Sequence, residues 1–285
     1  MPDAEAAGID GVTGVLLRIL AVGGLVYLGL LAALYFVQAR MLFLPTSELV
    51  ADPGAIGLAF EDVEIDTRDG ERLHAWWVPH SQARGTLLFA HGNAGNVSYR
   101  LDSLRLFHQL RLNVLIFDYR GYGRSTGRPT EAGLYRDGEA ARRWLTENAG
   151  VDPDDLVLFG RSMGAAVAAR LATGHRAACL IAESAFTSVP DRAAEIYWWL
   201  PVRWLLHIRM DTRRFVGEAD LPVLVVHSRD DEIVPFSHAR RLLEAADGRC
   251  QLLEISGDHN TGFLASRERY VDGLDDFLGR CLGDG

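Results

Sequence analysis

Leu156-Val157-Leu158-Phe159-Gly160-Arg161-Ser162-Met163-Gly164-Ala165-Ala166-Val167-Ala168-Ala169-Arg170 runs from an apolar strand, through Gly-x-Ser-x-Gly, into an alanine-rich helix without a break. A serine in that context sits on a sharp strand-to-helix turn. The flanking glycines leave room for neighbouring backbone, and the hydroxyl stands exposed where a base and a substrate can both reach it. The same five-residue pattern recurs at Gly123-Arg124-Ser125-Thr126-Gly127. That copy lies several residues past the strand Val114-Leu115-Ile116-Phe117 and is followed by Pro129, so it reads as a turn. Ser162 is therefore the candidate nucleophile.

A serine hydroxyl is a weak nucleophile at neutral pH and needs a base, which in turn needs an acid to orient it. With a strand-turn-helix serine the expected chain order is Ser, then Asp or Glu, then His. Downstream, the apolar run Leu221 to Ser228 enters Arg229-Asp230-Asp231-Glu232-Ile233-Val234-Pro235, and Gln251 to Ser256 enters Gly257-Asp258-His259-Asn260. Of nine histidines, only His259 follows the acid loop and stands at the carboxyl end of a strand, where α/β sheets place their sites. His91 and His227 also end strands, but they read more simply as partners of loop backbone. Asp231 is the favoured acid because it is the later of the two aspartates before the chain turns. Asp230 and Glu183 remain alternatives.

The tetrahedral intermediate of acyl transfer also needs donors aimed at its oxyanion. The backbone N–H of Met163, opening the helix after Ser162, is one candidate. The other is the N–H of Asn93, in the glycine-rich loop His91-Gly92-Asn93-Ala94-Gly95-Asn96 that follows the strand Gly85 to Ala90. Such a loop can instead be only a tight turn, but its place between a buried strand and a helix beginning near Val97 fits the oxyanion role.

Together with Asp118-Tyr119-Arg120-Gly121-Tyr122-Gly123-Arg124-Ser125, these segments resemble the membrane-anchored α/β-hydrolase-domain-containing proteins, from about Arg40 to the C-terminus. The resemblance implies a serine hydrolase, and some of these proteins are lipid esterases or depalmitoylating thioesterases. Asp258 departs from the pattern, since many relatives carry glycine there.

Strand-like runs alternate with helical segments from about Glu61 to Gly279, which predicts a mostly parallel central sheet with helices on both faces: an α/β class fold, here an α/β-hydrolase fold. Val63 to Thr67 and Leu73 to Val78, joined by Arg68-Asp69-Gly70-Glu71, read as an antiparallel hairpin. A chain of 285 residues, 48% hydrophobic, carries one such domain. The expected division is 1–40, an N-terminal arm and membrane helix, and 41–285, the hydrolase domain. Residues 185–220 are too many for an ordinary connection and predict a short helical cap. Its Tyr197-Trp198-Trp199-Leu200 and Trp204-Leu205-Leu206 suit a lid receiving an acyl chain, or simple packing of the cap on the core.

A net charge of −9, with all 29 basic residues arginine, argues against nucleic acid as a partner. Three widely spaced cysteines form neither a disulfide framework nor a metal site, and no phosphate loop, dinucleotide fingerprint or metal motif is present. No cofactor and no metal are expected. From Ile19 to Val37 run 19 uncharged residues between Arg18 and Arg40, about the ~20 needed to span a bilayer. The acidic arm with Asp3, Glu5 and Asp10, and the length of the apolar run, favour a permanent anchor over a cleaved signal. The Arg-, Ala- and Gly-rich composition fits a GC-rich bacterial genome, so the expected location is a bacterial inner membrane, single-pass. The flanking charges leave the orientation open.

The sequence thus predicts a serine hydrolase acting on esters or thioesters of small-molecule or lipid-like acyl substrates. An aminopeptidase or amidase with the same triad is an alternative, and so is a catalytically silent binding protein of the same fold.

Overall fold

Segments of five to seven residues, mostly apolar runs except at the β1 edge, become the strands of one eight-stranded sheet in this computed structural model, which describes residues 3–283, with side chains from residue 14 onward. The acidic side chains of the N-terminal arm, Asp3, Glu5 and Asp10, lie outside that description. The strands are β1 (Glu61–Asp66), β2 (Arg72–Val78), β3 (Gly85–Ala90), β4 (Leu112–Phe117), β5 (Leu156–Arg161), β6 (Cys179–Glu183), β7 (Val223–Ser228) and β8 (Cys250–Ile255). Their spatial order is β1-β2-β4-β3-β5-β6-β7-β8. β1 and β2 form the predicted antiparallel hairpin, Glu61 opposite Trp77 and Asp66 opposite Arg72. β2 is also antiparallel to β4, and every other pairing is parallel. Central strands β3, β5 and β7 are buried along their whole length, whereas edge strand β1 alternates, as a sheet covered on both faces requires.

The helices are α1 (Asp3–Leu42), α2 (Leu101–Gln109), α3 (Glu131–Glu147), α4 (Met163–Ala172), α5 (Val189–Ile196), α6 (Val202–Leu205), α7 (Thr212–Glu218), α8 (Ser237–Ala245), α9 (Gly262–Ala265) and α10 (Arg267–Leu282). Side chains alternate along each strand, so β5 feeds two cores. Leu156 and Leu158 pack with Leu134 of α3, Val167 of α4, Phe215 of α7 and Leu242 of α8. Val157 and Phe159 pack with Phe107 of α2 and Phe277 of α10 on the other face.

The chain goes from β3 outward to β4 and then returns to β5 on the other side of β3. This reversal leaves a crevice at the carboxyl ends of β3 and β5, the place where open α/β sheets bind ligands. Within residues 185–220, α5 and α6 stand clear of the sheet. α7 instead returns to it, burying Phe215 and Val216 against α4 and α8.

The N-terminal helix is long and apolar enough to cross a membrane from Gly14 to Leu42. At about 1.5 Å per residue those 29 residues exceed the ~30 Å hydrocarbon thickness. Most of its side chains are exposed all round, but its last turns dock on the protein. Gln38 is buried, and Phe43, just beyond the helix, enters the core.

Candidate active site

Ser162 joins β5 to α4 with φ 53° and ψ −115°, a sparsely populated conformation for a residue with a Cβ, costing on the order of 1–3 kcal/mol. Two glycines make the turn possible. A side chain on Gly160 would overlap the backbone of Gly164 and Ala165, and one on Gly164 would overlap the carbonyls of Ala90 and His91. α4 can therefore start directly over the end of β3. The Ser162 N–H donates to the Glu183 carbonyl at 2.8 Å, tying the turn to β6.

His259 and Asp231 reach the serine from the loops after β8 and β7. The His259 Nδ1–H donates to Asp231 Oδ2 at 2.7 Å, which leaves Nε2 as the acceptor facing Ser162 Oγ at 3.1 Å. The other carboxylate oxygen of Asp231 accepts from the Ile233 and Val234 N–H groups at 3.0 and 2.7 Å. Burial works to raise the Asp231 pKa, but the hydrogen bonds from His259 and from Val234 outweigh it and hold the carboxyl below its usual value. His227, whose Nε2–H donates to the Val234 carbonyl at 2.8 Å, lies beneath this pair. Burial lowers its pKa, which favours a neutral ring.

The alternative acids are otherwise engaged. Asp230 is exposed and its carboxylate accepts from the Gly257 N–H. Glu183 is buried, with one oxygen taken by Arg161 Nε and the other by the Tyr270 hydroxyl, both at 2.7 Å. Ser125 Oγ donates to the Asp118 carbonyl and accepts from the His74 N–H, which fastens its turn to β2. Asp258 directs its carboxylate at the Asn260 and Thr261 N–H groups and the Thr261 hydroxyl, so its charge shapes the loop after His259.

The loop that carries Asn93 runs beside the elbow, because Gly92 passes it closely. A Cβ on Gly92 would stand 3.6 Å from the Ser162 Cβ. Among the described residues no acceptor takes the N–H of Asn93 or of Met163. The Asn93 side chain is engaged elsewhere. Its Nδ2 donates to the Leu42 carbonyl, and its Oδ1 accepts from the Leu44 N–H at 3.1 Å and from the Tyr122 hydroxyl at 2.8 Å.

Arg100, which sequence reasoning missed, holds the carbonyl side of this loop. Its Nη2 donates to the carbonyls of Gly92, Asn93 and Ala94 at 3.3, 3.2 and 2.6 Å. Burial and the neighbouring Arg161 lower its pKa to about 10, so it stays charged at neutral pH. The Asp118–Ser125 segment supports the loop from behind. The Tyr119 hydroxyl donates to the His91 carbonyl at 2.8 Å, and the Asp118 carboxylate accepts from the Val97 N–H at 2.9 Å. The only sequence signal for this support was the density of Gly and Tyr in that segment. Among the described residues, no cluster of three or more His, Cys, Asp or Glu side chains could hold a metal ion.

Ser162, His259 and Asp231 thus meet at the crevice beside the Gly92 loop, an arrangement that could support attack on a carbonyl carbon. A family model described as alpha/beta hydrolase fold matches residues 85–217. The chain is 32% identical to an alpha/beta hydrolase domain-containing protein, WAV2 of Arabidopsis thaliana, over 87% of this chain and 89% of that one. It is also 32% identical to an uncharacterized membrane protein of Saccharomyces cerevisiae, over 90% of this chain and 94% of its relative. Among solved structures, an esterase of Pyrococcus furiosus superposes with a TM-score of 0.71 at 21% identity, covering 85% of this chain and 99% of the esterase.

Proposed function

The chain belongs to the α/β-hydrolase family and has the fold of a hydrolytic enzyme, and from that premise we propose that it is a membrane-anchored serine hydrolase cleaving carboxylic esters or thioesters of acyl substrates. The observation that carries this reading is the continuous chain Asp231–His259–Ser162, with links of 2.7 and 3.1 Å. Ser162 Oγ attacks the acyl carbon as His259 Nε2 takes its proton, and the N–H groups of Met163 and Asn93 receive the oxyanion. Collapse of the tetrahedral intermediate breaks the bond to the alcohol or thiol, which leaves with the proton from His259. The acyl-Ser162 ester remains. Water, deprotonated by His259, then releases the acid and restores the serine.

An aminopeptidase would need carboxylates free to hold a substrate amine. In the cap region Asp191 is taken by Arg203 and Thr187 and Glu195 by His238 and Arg241, while one oxygen of Asp211 caps α7 through the N–H of Arg214 and Glu218 lies exposed beside Arg214. This favours ester or thioester substrates. The intact triad likewise favours an enzyme over a silent binding protein. Residues 1–40 then serve as a single-pass anchor, in a bacterial inner membrane, and residues 41–285 as the catalytic domain with its cap within 185–220.

Turnover of a panel of acyl esters, acyl thioesters and aminoacyl amides by the purified full-length protein and by Ser162→Ala tests the reading. Ester or thioester cleavage that vanishes in the variant supports it. Cleavage of the amides alone would replace it with the amidase reading.

A further inference from the structure

A cavity of about 320 Å³ lies between the end of the membrane helix and the cap, at the lower end of the ~300–1,000 Å³ typical of ligand pockets. Leu34, Met41 and Leu42 of α1 form one wall, and Phe186, Ile196 and Leu206 belong to the opposite side. Of its three polar lining residues, Gln38 and Arg192 are engaged by protein partners, and Tyr197 adds one hydroxyl to an otherwise apolar wall. Gln38 Oε1 accepts from the His207 and Ile208 N–H groups and its Nε2 donates to the Tyr35 carbonyl. Arg192 donates to the Ile233 carbonyl and to Glu195. With a lining that is apolar apart from these groups, burial of a strongly polar molecule there would be costly, while an apolar one loses little.

One end of the cavity borders the candidate active site. Leu42 presents its carbonyl to Asn93, and Phe186 follows Glu183, the residue whose carbonyl takes the Ser162 N–H. The other end borders the bilayer. Leu34 lies inside the apolar stretch of α1, and Trp198, Trp199 and Trp204 of the cap are 82%, 55% and 92% exposed, the placement expected of aromatics at a membrane interface. A ligand reaching the cavity along α1 from the lipid phase would pass Leu34, Met41 and Leu42 on its wall.

We propose that this cavity is an acyl-chain site, filled from the lipid phase along the membrane helix, so that α1 is a wall of the substrate site as well as an anchor. The head-group chemistry rests on the acyl-transfer reading above. The chain site rests on the cavity alone.

Two measurements on the full-length protein in phosphatidylcholine vesicles test it. In the first, a diazirine-bearing sixteen-carbon fatty acid is photo-crosslinked to Ser162→Ala. Adducts are expected on the peptides containing 34–42 and 189–208 and should be lost in Ser162→Ala/Ala193→Phe, where the new ring fills the cavity. In the second, the ratio of kcat/KM for dodecanoyl over butanoyl ester should fall at least about tenfold in Ala193→Phe, the scale at which a pocket discriminates chain length. Crosslinks spread over the lipid-facing side of α1 and unaffected by Ala193→Phe would overturn the proposal, as would an unchanged ratio. Crosslinks on the expected peptides, in a protein that hydrolyses neither ester, would leave the chain site standing and remove the acyl-transfer reading instead.

Discussion

Asp230 and Asp231 are adjacent in sequence, yet one accepts a loop N–H at the surface and the other accepts the His259 imidazole in the interior. Asp231→Asn is therefore expected to reduce kcat by about 10³–10⁴-fold by losing the correct imidazole tautomer, with a much smaller loss for Asp230→Asn. Steady-state kinetics of both variants checks this, and equal losses would contradict it. His74 offers a test by pH. Burial would lower its pKa, but the carboxylates of Asp118, 3.1 Å from Nδ1, and Asp62, 2.8 Å from Nε2, raise it instead. A folded-state pKa raised above the unfolded value of about 6.5 adds stability that is fully present below that value and is lost as pH rises through the folded value. The stability gap between wild type and His74→Gln in urea should thus be wider near pH 6 than near pH 9. A gap that widens with pH would contradict the pairing. Ser162, Asp231 and His259, which the structure brings within hydrogen-bonding distance, could be read together in the sequence because each stands where an apolar run ends, in the chain order expected after a strand-turn-helix serine. Arg100 could not, because a lone arginine after a glycine-rich loop gives no sign that it will bind three carbonyls.

At the level of elements, the elbow depends on backbone contact between α4 and β3. Gly164→Ala is expected to cost about 1–3 kcal/mol or more, since the Ala90 carbonyl it would strike is backbone and cannot turn aside. A fall in Tm without loss of the remaining fold, read by circular dichroism, is the expected result, and an unchanged Tm would argue against this packing. Strands were the most legible elements, because runs such as Leu156–Phe159 are apolar on both faces and too short for buried helices. The hairpin was legible from the Asp69-Gly70 turn, where Gly70 takes φ 90°. Harder to read was the split of residues 185–220. The aromatic density there suggested one cap, whereas Phe215 and Val216 send α7 back to the sheet, and a seven-residue helix carries too little periodicity to announce that.

For the whole molecule, the link between the N-terminal apolar helix and the loop of the candidate active site was hidden in the sequence, because Leu42 and Asn93 are 51 positions apart and joined through one side-chain amide. A shortened chain beginning at Arg40 keeps every strand and the Leu42–Asn93 contact but loses Leu34 and Gln38. It is expected to cleave a short soluble ester and to be slower than the full chain on a long-chain ester held in vesicles. Equal rates on vesicles would reject a role for the helix beyond the fold. The central functional claim is that Ser162 is the nucleophile, and active-site labelling tests it most directly. After treatment with a fluorophosphonate, peptide mass spectrometry should find the adduct on Ser162, and a folded Ser162→Ala protein should take up none. An adduct on Ser125, or labelling that persists in folded Ser162→Ala, would contradict the account.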